Sequence, residues 1–320
     1  MSRTMNAHAA AASRLSNRLV TYFNRYTDRI EEEAVYGESW LRWAYGSPVG
    51  RCVLWPLARF GWFSRWYGWR MRRRASSRKI RPFMARYGVD SREFADPVER
   101  FQCFNDFFTR ALRPDARPID SDPESVVFPA DGRHLGFQDF GRVGGIFVKG
   151  EVFSLQALLG PHVDVAPYRR GSVVISRLCP TDYHRFHFPI AGTPGGAELI
   201  PGPLYSVNPI ALRRNIHILT RNKRMLTPLE TERMGRVLLV EVGATCVGTI
   251  CQSYAPHQAT AKGVEKGWFA FGGSTVITLF REGAVTLADD LCRQTELGRE
   301  LYARMGDRMG TIVATTRRSG

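Results

Sequence analysis

Between Ser39 and Arg86 the 320-residue chain has no aspartate or glutamate, although twelve arginines and lysines fall in that window. Elsewhere 33 basic residues nearly balance 30 acidic ones, so twelve of the fifteen net positive charges belong to one segment. A local surplus of that size implies an anionic partner and leaves its kind open: nucleic acid, a membrane surface or an acidic small molecule. Long apolar runs are also missing. No stretch approaches the ~18 uncharged apolar residues of a spanning helix, so none is expected. Cysteine is sparse, with six residues and no C-x-x-C spacing. That argues against a disulfide framework and for reduced, mostly structural thiols in a cytosolic redox environment. No repeat of solenoid period occurs. The first 25 residues lack acids but have no continuous apolar core, which disfavours a secretory signal. Residues 1–20 read as a flexible leader.

Against these absences stands ordinary globular composition, 44% hydrophobic and 23% charged, which excludes global disorder. The acid-free stretch is unusual in a second way, since six of the seven tryptophans lie in it: Trp40, Trp43, Trp55, Trp62, Trp66 and Trp69. The Trp62–Trp66–Trp69 spacing suits one face of a helix, and Pro48 and Pro56 divide the stretch into more than one helical piece. Such a stripe can be a core-packing face and such an arginine run a solvated one. Rings interleaved with unbalanced cations also describe an interfacial segment at an anionic membrane. No zinc-finger or RNP-type signature supports nucleic acid. The expected partner is therefore an anionic phospholipid membrane.

After residue 87 the texture changes. Phe101–Ala111 reads as a helix ended by Arg113-Pro114-Asp115. From Val126 onward come short β-type runs punctuated by glycine and proline, among them Val126–Phe128, Ile146–Val148, Val173–Leu178, Arg236–Val242 and Val276–Phe280. The expected class is α+β: a helical, basic, Trp-rich region over 21–118, then a β-rich catalytic domain over 119–320.

Three short segments could carry chemistry. Two histidines, His184 and His187, stand three apart between Pro180 and Pro189. The prolines argue for an irregular loop and no third ligand is evident, so a metal site is not expected. Structural packing and general acid/base work remain, the latter because imidazole titrates near neutral pH. Asp131 in Pro129-Ala130-Asp131-Gly132 is by default a turn former. Phe271-Gly272-Gly273-Ser274-Thr275 is by default a tight turn or bulge. A serine after such a pair is also placed to attack the preceding carbonyl if a base takes its proton.

Together these segments resemble the phosphatidylserine decarboxylases, a family whose members make their own pyruvoyl cofactor. The resemblance runs from about Tyr22 to residue 292. Its markers are Phe104-Asn105-Asp106-Phe107-Phe108-Thr109-Arg110, Arg113-Pro114-Asp115-Ala116-Arg117-Pro118-Ile119, the Pro-Ala-Asp-Gly site, Asp182-Tyr183-His184-Arg185-Phe186-His187, and Lys262-Gly263-Val264-Glu265-Lys266-Gly267 before Phe-Gly-Gly-Ser-Thr. The cleavage motif departs from the Leu-Gly-Ser-Thr of many bacterial members and is similar to a second bacterial and fungal branch. The resemblance implies that Asp131 orients His187, which deprotonates Ser274 for attack on Gly273. The chain would then part into β (1–273) and α (274–320) pieces, with Ser274 converted to the pyruvoyl group that forms a Schiff base with substrate. His184 is the expected acid that protonates the carbanion. The implied reaction is decarboxylation of phosphatidylserine to phosphatidylethanolamine, at the cytoplasmic side of a cell membrane as a peripheral protein. A related decarboxylase of a free amino acid such as tryptophan, and a non-catalytic membrane-binding scaffold, are the alternatives.

Overall fold

The computed structural model describes residues 20–313 apart from 36–37, 51, 54–57, 59–61, 143–153, 213–214, 246–248 and 273. The expected leader up to residue 19, the run at Ile146–Val148, Trp55 and Gly273 lie outside the described residues.

In chain order the strands are β1 (Thr21–Asn24), β2 (Arg29–Glu32), β3 (Ser125–Val127), β4 (Gly132–Phe137), β5 (Val173–Leu178), β6 (Arg185–His187), β7 (Thr193–Pro194) and β8 (Glu198–Ile200). They continue with β9 (Arg224–Thr231), β10 (Gly235–Gly243), β11 (Ile250–Gln252), β12 (Glu265–Phe269), β13 (Ser274–Leu279), β14 (Val285–Leu287), β15 (Glu300–Ala303) and β16 (Arg308–Ile312). The helices used below are α1 (Glu38–Gly46), α2 (Trp62–Met71), α3 (Ile80–Tyr87), α4 (Phe104–Phe108) and α5 (Asp289–Glu296). The α+β class is therefore observed.

The principal sheet runs β2-β1-β15-β4-β5-β13-β10-β9-β7, with β8 also on β9. Its central strands are β-branched and buried on both faces, as near-continuous apolar runs require. Successive side chains alternate between two cores. Val173, Ile175, Leu238, Val240, Ile277 and Leu279 point to one, whereas Val174, Val237, Leu239 and Phe280 point to the other. A small sheet, β11-β12-β6, carries the histidine segment, and a third has the order β14-β16-β3.

The N-terminal region departs from the helical expectation at its start. Residues 21–32 form a β-hairpin whose first strand runs parallel to β15, pairing Tyr22 with Glu300. The hairpin completes one edge of the principal sheet. Helix α1 then sends Leu41, Ala44 and Tyr45 into the first core, three and four residues apart as one helical face demands. The Tyr45 hydroxyl accepts the Ser206 amide at 2.8 Å. Residues from 21 onward thus share the sheet and core of the β-rich region. Helices α2 to α4 build a separate aromatic cluster from Met71, Ile80, Phe83, Phe104, Phe107 and Phe108, which also takes in Phe271. The helix expected over 101–111 is shorter, because the chain leaves α4 to pair Leu112 with Phe94.

β4 and β5 place Arg133 and Arg177 directly opposite one another. Two buried guanidinium groups in that register require counter-charge. Arg177 forks onto Glu300 at 2.9 and 2.6 Å and onto Glu33 at 3.1 and 2.6 Å. Arg133 meets Asp182 at 2.6 Å and Glu33 at 3.6 Å, and lies over the Tyr22 and Tyr302 rings. Burial alone would raise the Glu33 pKa, but the two arginines hold it down at about 2. Removing one partner strands charge in the interior. Arg177→Met is expected to lower the unfolding free energy by about 3–5 kcal/mol in urea titrations; a loss below ~1 kcal/mol contradicts this account.

Candidate active site

Ser274 opens β13 between β5 and β10, where it opposes Leu178 and Gly243. Its side chain is fully buried. Gly272, two residues earlier, has φ +136, a conformation that L side chains rarely adopt, so the chain enters β13 through a glycine-only bend. Gly273 itself lies outside the described residues.

His184 stands immediately before β6 and is fully buried. Its Nε2 lies 2.8 Å from the Cys179 carbonyl, which can only accept, so Nε2 carries the proton. Nδ1 is then a bare acceptor, and it lies 3.4 Å from Ser274 Oγ. The ring is stacked on Phe108 with centroids 3.9 Å apart, which fixes its plane. The loop beneath is pinned in turn: Asp182 takes the Cys179 amide at 2.6 Å and both carboxylate oxygens meet Arg133. A chain of contacts therefore leads from Arg133 through Asp182 and Cys179 to His184 and Ser274. Burial, and secondarily the positive charge of Arg110, push the His184 pKa down to about 3, so the ring is neutral at pH 7.

His187 ends β6 opposite Glu265 of β12 and is also buried. Its Nδ1 has no hydrogen-bond partner among the described residues. Burial lowers its pKa to about 4, against the opposing pull of Glu265 and Asp131. Asp131 precedes Gly132, where an added Cβ would stand 2.5 Å from the Arg177 carbonyl; only glycine admits that approach of β4 to β5. The Asp131 carboxylate is taken by Arg117, with Nε 2.9 Å from each oxygen and a terminal nitrogen at 2.6 Å, and by the Met305 amide at 2.9 Å.

The expected line Asp131–His187–Ser274 is thus not joined by hydrogen bonds among the described residues. Arg117 takes the carboxylate because its fork matches a buried carboxylate at both oxygens. The imidazole brought to Ser274 is His184. Sequence reasoning assigned no role to Arg117, Arg133, Asp182 or Phe108. The signal for the arginines was available: an aspartate destined for the interior at Asp131 or Asp182 requires a buried cation.

This arrangement places a buried serine hydroxyl, a bare imidazole acceptor and a glycine bend at the head of a central strand. Such a site suits a chain that modifies itself at serine. The family model for phosphatidylserine decarboxylase matches residues 104–311, and the chain belongs to that family. It is 41% identical to a phosphatidylserine decarboxylase proenzyme of Desulfitobacterium hafniense over 292 residues, covering 91% of this chain and 98% of that protein. It is 43% identical to the proenzyme of Chlamydia pneumoniae over 289 residues, covering 90% and 96%. The match to the Clostridium beijerinckii proenzyme is 40% over 295 residues, covering 92% and 100%.

The histidines generate a pH prediction. His134 pairs with the Ser176 hydroxyl and Ala303 carbonyl and, like His184 and His187, is held neutral by burial, at about 3, 3 and 4 against an ordinary 6.5. Below pH 6.5 the unfolded chain binds protons that the folded chain refuses, so stability is lost as pH falls toward these values. Calorimetry is expected to show Tm falling steadily from pH 6.5 to 5, less steeply in His134→Gln. A flat Tm across that window contradicts it.

Proposed function

We propose that this chain decarboxylates phosphatidylserine to phosphatidylethanolamine with a pyruvoyl group made from its own Ser274. The observation that carries the reading is the His184 Nδ1 to Ser274 Oγ contact of 3.4 Å at the head of β13, in a member of this family.

The residues present fit such a group. The Ser274 hydroxyl faces a neutral imidazole that can take its proton, and the bend at Gly272 frees the preceding backbone from ordinary strand geometry. With the proton on Nδ1, Oγ attacks the Gly273 carbonyl and the amide becomes an ester. Loss of the residue-274 Cα proton then expels the Gly273 carboxylate by β-elimination, which parts the chain between 273 and 274, and the dehydroalanine left at 274 takes up water and loses ammonia to become pyruvoyl. The pieces have reason to stay together. Residues 274–320 supply β13, which lies between β5 and β10, and β15, which lies between β1 and β4. Once residue 274 is pyruvoyl, its carbonyl supplies the electron sink for loss of CO₂ from an amino-acid head group. His184 Nδ1 faces position 274 in the uncleaved chain and would be the atom that exchanges a proton there. Phe108 and the aromatic cluster behind it exclude water from the ring.

A second reading keeps His187 as the base for self-cleavage with Asp131, and leaves His184 to turnover. Its support is the buried, unpartnered Nδ1 of His187, which Asp131 influences electrostatically. Mass spectrometry separates the readings. The wild-type chain is expected as two fragments, the shorter one blocked by pyruvoyl at 274 and co-eluting with its partner without denaturant. Ser274→Ala and His184→Ala are expected to remain whole. If His184→Ala splits normally while His187→Ala stays whole, the cleavage step belongs to His187. An uncut wild-type chain overturns the enzyme reading.

For the membrane, the support is chemical. Trp40, Trp43, Trp66 and Trp69 are exposed beside an acid-free arginine run. Arg73 lies 4.3 Å from the Trp69 ring centroid and Arg70 lies 5.7 Å from that of Trp66. Among the described residues no helix is long and apolar enough to cross a membrane. Rings at head-group depth with cations on anionic lipid describe a peripheral protein, which we place at the cytoplasmic leaflet. Co-sedimentation with anionic vesicles is expected to weaken as salt rises and to fall at least fivefold in a Trp66→Ser/Trp69→Ser double variant. Equal binding to neutral vesicles overturns this assignment.

A further inference from the structure

Between α2, the start of α4 and the loop entering β13 lies a cleft of about 300 Å³. Arg65, Gly68 and Trp69 line it from α2, Arg72 from the turn just after it, Asn105 from α4, and Phe271 from the loop. Neither Arg65 nor Arg72 has a carboxylate partner among the described residues, and the sequence around them is acid-free. The Asn105 Oδ1 accepts the Phe271 amide at 3.3 Å, which leaves its NH₂ group without a hydrogen bond among the described residues. Gly68 costs a helix about 1 kcal/mol relative to alanine. A Cβ there would meet nothing within 4 Å, so the residue keeps this wall low. The cleft offers two guanidinium groups and an amide, all donors, with an indole beside them.

Phe271 joins this cleft to the chemistry. It packs against Phe108 with centroids 4.9 Å apart, and Phe108 stacks on His184. Phe271 is three residues before Ser274, so their backbones are at most about 10 Å apart. A head group whose amine is at position 274 carries its phosphorus four bonds, about 5 Å, away, and the reach of a guanidinium side chain makes up the rest of that interval.

We propose that Arg65, Arg72 and Asn105 form a subsite for the phosphodiester of the lipid head group, holding its serine moiety toward residue 274. The proposal rests on the decarboxylase reading above and adds the residues that recognise the substrate's phosphate. Guanidinium forks suit phosphate oxygens at both points of contact. The exposed Trp69 at the rim gives the adjoining glycerol and acyl carbons an apolar surface. Binding of this kind is made equally before and during the reaction, so its loss raises KM and spares kcat.

The test uses the self-processed full chain and phosphatidylserine in micelles of uncharged detergent, which removes general attraction to an anionic surface. Arg65→Gln/Arg72→Gln is expected to be cleaved normally, which reports folding, and to raise KM at least tenfold with kcat within about twofold. Arg78→Gln is the comparator, being an exposed residue of the same basic stretch outside the cleft. Glycerophosphoserine is expected to compete with substrate in the wild type and to lose at least tenfold in potency against the double variant, while inorganic phosphate competes weakly in both. A KM shift no larger than that of Arg78→Gln overturns the subsite, as does phosphate competing as well as glycerophosphoserine. A wild-type chain that releases no CO₂ overturns the decarboxylase reading and the subsite with it, so the two failures are told apart.

Discussion

Two arginines face each other inside the principal sheet, and much of the structure answers that constraint. Arg133 and Arg177 sit in register on β4 and β5 where neither can reach water. Glu33 bridges both, Glu300 completes Arg177 and Asp182 completes Arg133. Each acid comes from a different part of the chain: the end of the N-terminal hairpin, the strand β15, and the loop before β6. Charges cannot be left alone at this depth, so the three segments are held to one place. The hairpin is thereby a working part of the sheet, and the two sides of the 273–274 bond are tied across β5 and β15. Asp182 carries the constraint onward, because the same carboxylate holds the loop whose carbonyl sets the tautomer of His184.

A second constraint is aromatic. Phe271, just ahead of the glycine bend, is buried with Phe104, Phe107 and Phe108 rather than with the sheet. The helices of the basic region therefore pack on the segment that leads into β13. Phe108 flattens His184 from one side, and Phe271 borders the arginine-lined cleft on the other. Segments of the basic region are in this way packed against Phe271, three residues before Ser274.

Much of this was legible in one dimension. The Val173–Leu178 run is β5 as expected, Arg236–Val242 lies within a residue of β10 at each end, and Val276–Phe280 within two residues of β13. β-branched runs buried on both faces are the strongest strand signal a sequence carries. His184, His187, Asp131 and Ser274 were singled out from their motifs, and the structure buries all four. The hairpin at 21–32 was missed, because four-residue strands with polar ends carry little periodicity and form here only against β15. The partner of Asp131 was missed for a similar reason: Arg117 lies fourteen positions away, and no spacing rule joins them.

Composition and local pattern alone determined that this chain is α+β, that one acid-free stretch holds nearly all its excess charge, and that Ser274 follows a glycine pair able to bend. Those are properties of neighbours along the chain, where side-chain type and backbone freedom act directly. Which histidine meets Ser274, which cation neutralises which buried acid, and that the basic helices pack against Phe271 just before it were decided only by the tertiary structure. His184 and His187 are chemically identical and three residues apart. Only the turn fixed by Cys179, Asp182 and Arg133 gives one of them the serine, while the Nδ1 of the other has no hydrogen bond among the described residues.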